Sequence, residues 1–273
     1  MSDVPPPPSA APPPPPPPSL TPPSSVPAPP TPAPPAGYVA YGNSATPLAS
    51  LRRVHGLSIA IITLTTVAAI ATVLTTVLTA AVAEDARNFL DDELSDDEFR
   101  NAIGPVNAAQ LIAGVATLAV FVVTVIWMYR IATNVRAFQR DTLWSPLFAI
   151  FGWMLPPFVL YIIPFLVLRE LWKASDPTDA NDTEGWRSSA DNPFIWAWLV
   201  LYGIAPIFLL LFSVGSFLDG GLASGSLESL ADSLDEFNGF SVVTAAVNVA
   251  AAVVWIVLVR QLTGRHVRLT SER

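Results

Sequence analysis

Cysteine is absent from the 273 residues, which excludes disulfides, thiol nucleophiles and Cys-ligated metals. Histidine is nearly absent. His55 and His266 both lie among arginines at the ends of apolar segments, which argues against a histidine-built metal or catalytic site. Charge is scarce, at 13% of residues, where a soluble domain carries roughly a quarter. The deficit is concentrated in long apolar runs, and 52% of the chain is hydrophobic, which points to a membrane. The net charge of −8 would suit a soluble protein too, so the placement of charges matters more than their sum. Nucleophile elbow, phosphate-binding glycine loop and HExxH are all missing. The acidic stretch "DDELSDDE" lacks calcium-loop spacing and reads as a solvated face. The apolar helices hold no Asp, Glu, Lys or Arg in their central turns, where proton relays and ion-coupled transporters keep at least one. The expectation is a protein that is not an enzyme, with no cofactor, no metal and no nucleic-acid partner.

What is plentiful is proline. Residues 1–49 hold 20 of the 28 prolines, seven of them consecutive at Pro12 to Pro18. Such a tract lacks backbone donors and apolar mass, so residues 1–50 are expected to be a disordered or polyproline II tail. It reads first as a solvated spacer, because no basic residue flanks a PxxP core. The second reading is a docking tail for a cytoplasmic protein partner with an aromatic-lined groove. No cleavable signal peptide is visible ahead of the first apolar run.

Four segments read as membrane-crossing helices: 55–83, 107–133, 194–217 and 240–260. Pro206 in the third is tolerable where neighbouring helices satisfy the freed carbonyl. A fifth uncharged run, 142–168, is 27 residues long and broken near its middle by Pro156 and Pro157. Pro146 and Pro164 weaken its two arms. Arms of about 21 and 16 Å would each cross about half of a 30 Å hydrocarbon core, enough to dip in and return.

Charge placement discriminates between a dip and a fifth crossing. "LRRVHG" precedes the first helix, and Arg130, Arg136 and Arg140 follow the second. The loop 84–106 carries eight acidic residues against two arginines, and the loop 218–239 five acidic residues and no basic one. If 142–168 crosses fully, the basic residues split five to nine across the membrane; if it returns, 12 of the 14 share one side. The positive-inside rule favours the return and places both termini in the cytoplasm. Trp127, Trp196, Trp198 and Trp255 then fall near cytoplasmic helix ends, and Trp144 and Trp172 bracket the broken run on that side, as interfacial indoles would. A kinked fifth span is the alternative.

Polar side chains within the apolar helices are few. Thr65, Thr72, Thr76 and Thr79 share one stripe with Ala69, which suggests close packing with cross-helix hydrogen bonds rather than a pathway. Asn248, between Ala245 and Ala252 on one face, reads as interhelical glue rather than as a ligand. In the second acidic loop, Leu227, Leu230, Leu234 and Phe237 recur at helical spacing, predicting a short amphipathic helix ended by Gly239.

The cytoplasmic rim is the richest region. "IWMYRIATNVRAFQR" puts Trp127, Arg130 and Asn134 on one helix face, and "RELWKASDP" follows the broken run. Arg130, Arg169 and Lys173 read as snorkelling anchors at the headgroups. The alternative is a rim site for an anionic headgroup or a partner, in which Arg130 and Asn134 face Glu170 and Trp172 and Arg130 pairs with Glu170. The stretches W-x-x-R-x-x-x-N, G-W-x-x-P, a second proline and elW-x-x-S are borne by Trp127, Arg130, Asn134, Gly152, Trp153, Pro157, Pro164, Glu170, Leu171, Trp172 and Ser175. In these the chain resembles the actinobacterial membrane family catalogued as domain of unknown function 4328. The resemblance implies a bacterial membrane domain from about 85 to 262 and brings no activity with it; the segment between the two prolines is more apolar here than is usual in the family.

The sequence therefore reads as an all-α integral membrane protein: four transmembrane helices and a proline-broken re-entrant segment. The disordered tail comes first, the membrane domain spans 51–263, and a basic tail, 264–273, ends the chain. A multi-pass scaffold or interaction protein of the plasma membrane, in contact with lipids, is the expected function. A channel or transporter for a neutral or lipidic substrate is the alternative. The candidate rim residues are Trp127, Arg130, Asn134, Glu170, Trp172 and Ser175, and the candidate break is formed by Gly152, Pro156, Pro157 and Pro164. The sequence leaves the oligomeric state open.

Overall fold

The computed structural model describes residues 51–154, 161–178, 185–209, 226–235 and 239–272. Among these residues every regular element is helical. Helix α1 runs from His55 to Leu90 and α2 from Asp96 to Ala137. A short α3, Phe148–Phe151, tightens into a 3-10 turn, Gly152–Met154. Helix α4 spans Ile162–Ala174, α5 Pro193–Leu209, α6 Leu227–Asp235 and α7 Gly239–Thr270. Helices α1, α2 and α7 are long and apolar enough to cross a membrane, and α5 is a shorter apolar helix. The rest of the expected third crossing, 210–217, lies outside the described residues, as do Pro156, Pro157 and the tail 1–50.

The helices meet in two buried clusters. One, at the end rich in arginine, contains Val54, Trp127, Leu168, Trp198, Trp255 and Leu262. The other, at the acidic end, contains Val82, Phe89, Phe99, Ile103, Ala231 and Leu234. Between them α1 and α2 turn large apolar side chains outward: Ile70 is 63% exposed, Leu111 69% and Leu118 64%. A face of that kind is costly in water and suits hydrocarbon.

The acidic connection is shorter than the sequence suggests. Residues 84–106 are expected as a loop, yet α1 continues to Leu90 and α2 begins at Asp96. Ser95 and Glu98 form a capping box, and Asp96, Asp97 and Glu98 put negative charge on the first turn, where the exposed amides favour it. Phe89 and Phe99 stack across the turn with centroids 4.5 Å apart. The amphipathic helix expected in the second acidic loop is present as α6, with Ala231 and Leu234 buried against this cluster and an Arg87–Asp235 ion pair beside it. Gly239 opens α7, where it was expected to end α6. Phe237 lies outside the described residues.

The broken run also departs from expectation. Its first arm is helical only from Phe148, and Pro164 does not interrupt the second: it sits in the first turn of α4, where no backbone donor is needed. The glycine of the break is a contact point. A Cβ on Gly152 would fall 2.9 Å from Ile163 Cγ2, so the 3-10 turn lies directly on the start of α4. In α5, residues Leu199–Ile204 form a π-helical stretch just before Pro206, which lacks the donor an α-helical turn would use there.

Candidate functional site: a polar knot at the basic end and a cavity beneath it

The knot is built on Asn134, 99% buried near the end of α2. Its Oδ1 accepts the Arg52 amide at 2.8 Å, which fixes the orientation of the side-chain amide. Its Nδ2 then donates to the Arg52 carbonyl at 2.8 Å and faces His266 Nε2 at 3.1 Å. Nε2 must therefore accept, so the imidazole proton sits on Nδ1, which lies 3.1 Å from Ser175 Oγ. A chain of hydrogen bonds thus runs from the start of α1 through α2 and α7 to the end of α4, and it requires neutral His266. His266 lies six residues beyond Arg260, past the apolar stretch 240–259. Burial first, and the Arg140 guanidinium second, lower its pKa to about 4.

Around this chain the ends of the elements are tied together. Arg130 Nη1 donates to the Arg53 carbonyl at 2.9 Å. The Glu272 carboxylate accepts the amides of Val54 and His55 at 3.1 and 3.2 Å, acting as a cap for α1 from the far end of the sequence. Buried Arg140 donates to the carbonyls of Ala174 and Asp176 at 2.6 and 3.0 Å. Arg265 pairs with Asp176 and lies over the Trp172 ring, 4.5 Å from its centroid. Trp172 in turn donates to the Ala190 carbonyl. Arg169 forks onto Asp191, and this hydrogen bonding holds the Asp191 carboxyl below its ordinary range.

Five of the six candidate rim residues thus have a fixed polar partner in this assembly, and the sixth, Trp127, donates its indole N–H to Thr263 within the buried core. The pairing of Arg130 with Glu170 that the alternative reading of the rim called for does not form. Arg130 binds the Arg53 carbonyl, whereas Glu170 accepts the amides of Leu143 and Trp144 at 2.5 and 3.1 Å. Burial pushes the Glu170 carboxyl up, and those two amides oppose the shift. The physical reason is local: Leu143 and Trp144, in the non-helical turn after α2, offer amides that need an acceptor. Trp198 and Trp255 are likewise core residues, with ring centroids 5.6 Å apart, rather than interfacial anchors; Trp196 is 48% exposed.

Below the aromatic layer lies a cavity of about 340 Å³ between α1, α2, α5 and α7. Its lining includes Thr65, Thr72, Thr124, Trp153, Tyr202 and Asn248, with small alanines of α1 and α7 between them. The threonine stripe does not make the cross-helix bonds expected of it. Thr72 and Thr76 return their hydroxyls to the carbonyls of Ala68 and Thr72 within α1. Asn248, expected to join helices, stands exposed at this cavity. His266 and Arg140 are the residues that sequence reasoning missed. The i, i+3, i+6 placement of Thr263, His266 and Leu269, all buried, was the available signal.

Among the described residues the fold and the knot define an all-helical arrangement whose three longest apolar helices can cross a membrane and are bound together at one end. A family model described as Domain of unknown function (DUF4328) matches residues 91–264, more than half of the chain, and the chain belongs to that family. No curated protein and no solved structure matches it.

Proposed function

We propose that the protein is a non-enzymatic interaction protein of the plasma membrane that holds its proline-rich tail at a fixed point on a rigid helical bundle. The observation that carries this reading is the clamp on residues 52–55. Asn134 takes both backbone groups of Arg52, Arg130 takes the Arg53 carbonyl, and Glu272 takes the amides of Val54 and His55. A tail that needed only a loose tether would not require its root to be bound from α2 and from the end of α7. The topology in this reading has four crossings, with 142–168 entering and leaving on the cytoplasmic side together with both termini. Support comes from the bonds between Glu170 and the Leu143 and Trp144 amides, which bring the two ends of that run to one place. The partner is a cytoplasmic protein domain that takes an extended proline-rich segment.

Co-purification from native membranes tests this, using the full chain and a chain lacking residues 2–45. A discrete set of proteins should be lost on deletion while the bundle remains folded. The same set recovered from both chains would contradict the proposal.

A further inference from the structure

We infer that the outward face of α7 at the basic end is a seat for an anionic phospholipid of the surrounding membrane. Its phosphate lies over Gly264, between Arg260 and Arg268, and its acyl chains lie against the apolar part of the same face. The inference rests on α7 crossing the membrane and does not depend on the tail proposal.

The first observation is that one stripe of α7 changes character along its length. Val242, Ala246, Val253, Arg260, Gly264 and Arg268 follow one another at intervals of four or seven residues, which keeps them on a single helix face. All six are exposed, Val242 at 49% and Val253 at 55%. The stripe is apolar as far as Val253 and cationic from Arg260.

The second observation is where the change falls. The apolar stretch 240–259 amounts to about 30 Å of helix, the thickness of the hydrocarbon core. Arg260 therefore stands at the edge of the core, and Gly264 about 7 Å beyond it, inside a headgroup layer roughly 5–8 Å deep. Arg268 lies one turn further and can turn its long side chain back toward that layer. A Cβ on Gly264 would meet nothing within 4 Å, so the backbone between the two arginines is open to the outside.

The third observation is charge. Neither Arg260 nor Arg268 takes part in an ion pair among the described residues. Four of the described carboxylates at this end are committed elsewhere: Glu170 and Glu272 to backbone amides, Asp176 to Arg265 and Asp191 to Arg169. Arg130, the cation first weighed for a headgroup, is bound to the Arg53 carbonyl. Taken singly, Arg260 is a snorkelling anchor and Arg268 a complement to the helix dipole. On one face, a turn either side of an open glycine, they make a fork for a phosphodiester. The occupant has to be apolar along Val242 to Val253 and negative at Gly264. An anionic lipid has that form; a soluble anion has no apolar part, and a zwitterionic lipid would bring its own cation to the guanidiniums.

The test is native mass spectrometry of the full chain released from neutral detergent micelles, titrated with phosphatidylglycerol and with phosphatidylcholine of the same acyl chains. Phosphatidylglycerol should bind more tightly by at least about fivefold, the effect of one basic residue at an anionic headgroup. The paired Arg260→Gln, Arg268→Gln variant should weaken its binding by at least about the same factor. The control pair Arg53→Gln, Arg136→Gln removes equal charge from exposed side chains at the same end and should stay within about twofold of wild type. Gly264→Leu keeps both charges but covers the gap, and should weaken binding at least about threefold, close to the loss of one net hydrogen bond. Phosphatidylcholine that binds as tightly as phosphatidylglycerol would overturn the inference. So would a glutamine pair that keeps its thermal transition and shifts binding by less than this, or a control pair that loses as much. Displacement of the lipid by excess inorganic phosphate would give the seat to a soluble anion, and a lipid-free dimer would give the face to a second copy; either result is equally fatal. Should the glutamine pair fail to fold, Gly264→Leu decides alone, and an unchanged affinity there would sink the inference.

Discussion

The carboxylate of Glu170, in the last turns of α4, accepts the backbone amide of Leu143 at 2.5 Å, across 27 residues of sequence that include all but the first residue of the proline-broken stretch. One side chain therefore joins the entrance of that stretch to its exit. Arg130, the cation that the alternative reading of the rim set against this carboxylate, is instead committed to the Arg53 carbonyl.

The two groups are consequently independent. Arg130→Ala and Glu170→Ala should each lower thermal stability in detergent, Glu170→Ala by about 1–3 kcal/mol because it strands two amides. Their effects should add to within about 0.5 kcal/mol. A coupling energy well above that would restore the direct pair.

Asn134 and His266 should behave in the opposite way. Asn134→Ala leaves both backbone groups of Arg52 and the Nε2 lone pair without partners, and should cost about 2–3 kcal/mol. Once it is made, His266→Ala should add much less than it does alone, with a coupling of about 0.5–3 kcal/mol in a double-mutant cycle. Strict additivity would mean the knot is not a network.

The same histidine sets a pH dependence. Unfolded, it takes up a proton near its ordinary pKa of about 6.5; folded, it resists until about 4. The unfolded state therefore binds more protons between these values, so this stability is full above about 6.5 and declines as pH falls toward 4. The loss over the window is on the order of 3 kcal/mol. Asp191, held below its ordinary range by Arg169, adds a further loss as pH drops below the usual carboxylate value. Thermal melts of wild type and His266→Ala from pH 7 to below the usual carboxylate range would separate the two: the upper part of the slope should vanish in the variant and the lower part should remain. An unchanged slope would mean that His266 titrates alike in both states.

Apolar length announced α1, α2 and α7 in the sequence, and amphipathic spacing announced α6, because burial of an uninterrupted run or of one face is a local property. The motif residues Arg130, Asn134, Glu170, Trp172 and Ser175 could be read as belonging to one rim for the same reason: each sits just beyond an apolar end. Their partners could not be read. Arg130 and Asn134 bind main-chain groups of Arg52 and Arg53, and main-chain acceptors leave no mark in side-chain identity. Glu272 and His266 reach partners more than 90 residues away, which spacing cannot reveal. The extension of α2 to Asp96 was legible in Ser95 and Glu98, where the density of acids suggested a solvated loop instead.

The tail should be energetically separate from the bundle beyond its clamped root. Removing residues 2–45 should leave the melting temperature of the bundle unchanged, since proline-rich sequence offers little to pack. Glu272→Ala, which strips the cap from α1, should lower stability by about 1 kcal/mol. A deletion that destabilises more than this substitution would show that the tail docks on the helices.

The central claim is that the proline-broken run returns to the side it left. In this cysteine-free chain, Ser188→Cys, Ser271→Cys and Asp97→Cys can be probed one at a time in intact cells with a membrane-impermeant maleimide. All three positions are exposed on the protein, so labelling reports the side of the membrane. Asp97→Cys should label, while Ser188→Cys and Ser271→Cys should label only after the membrane is opened. Labelling of Ser188→Cys in intact cells would establish a full crossing and contradict the claim.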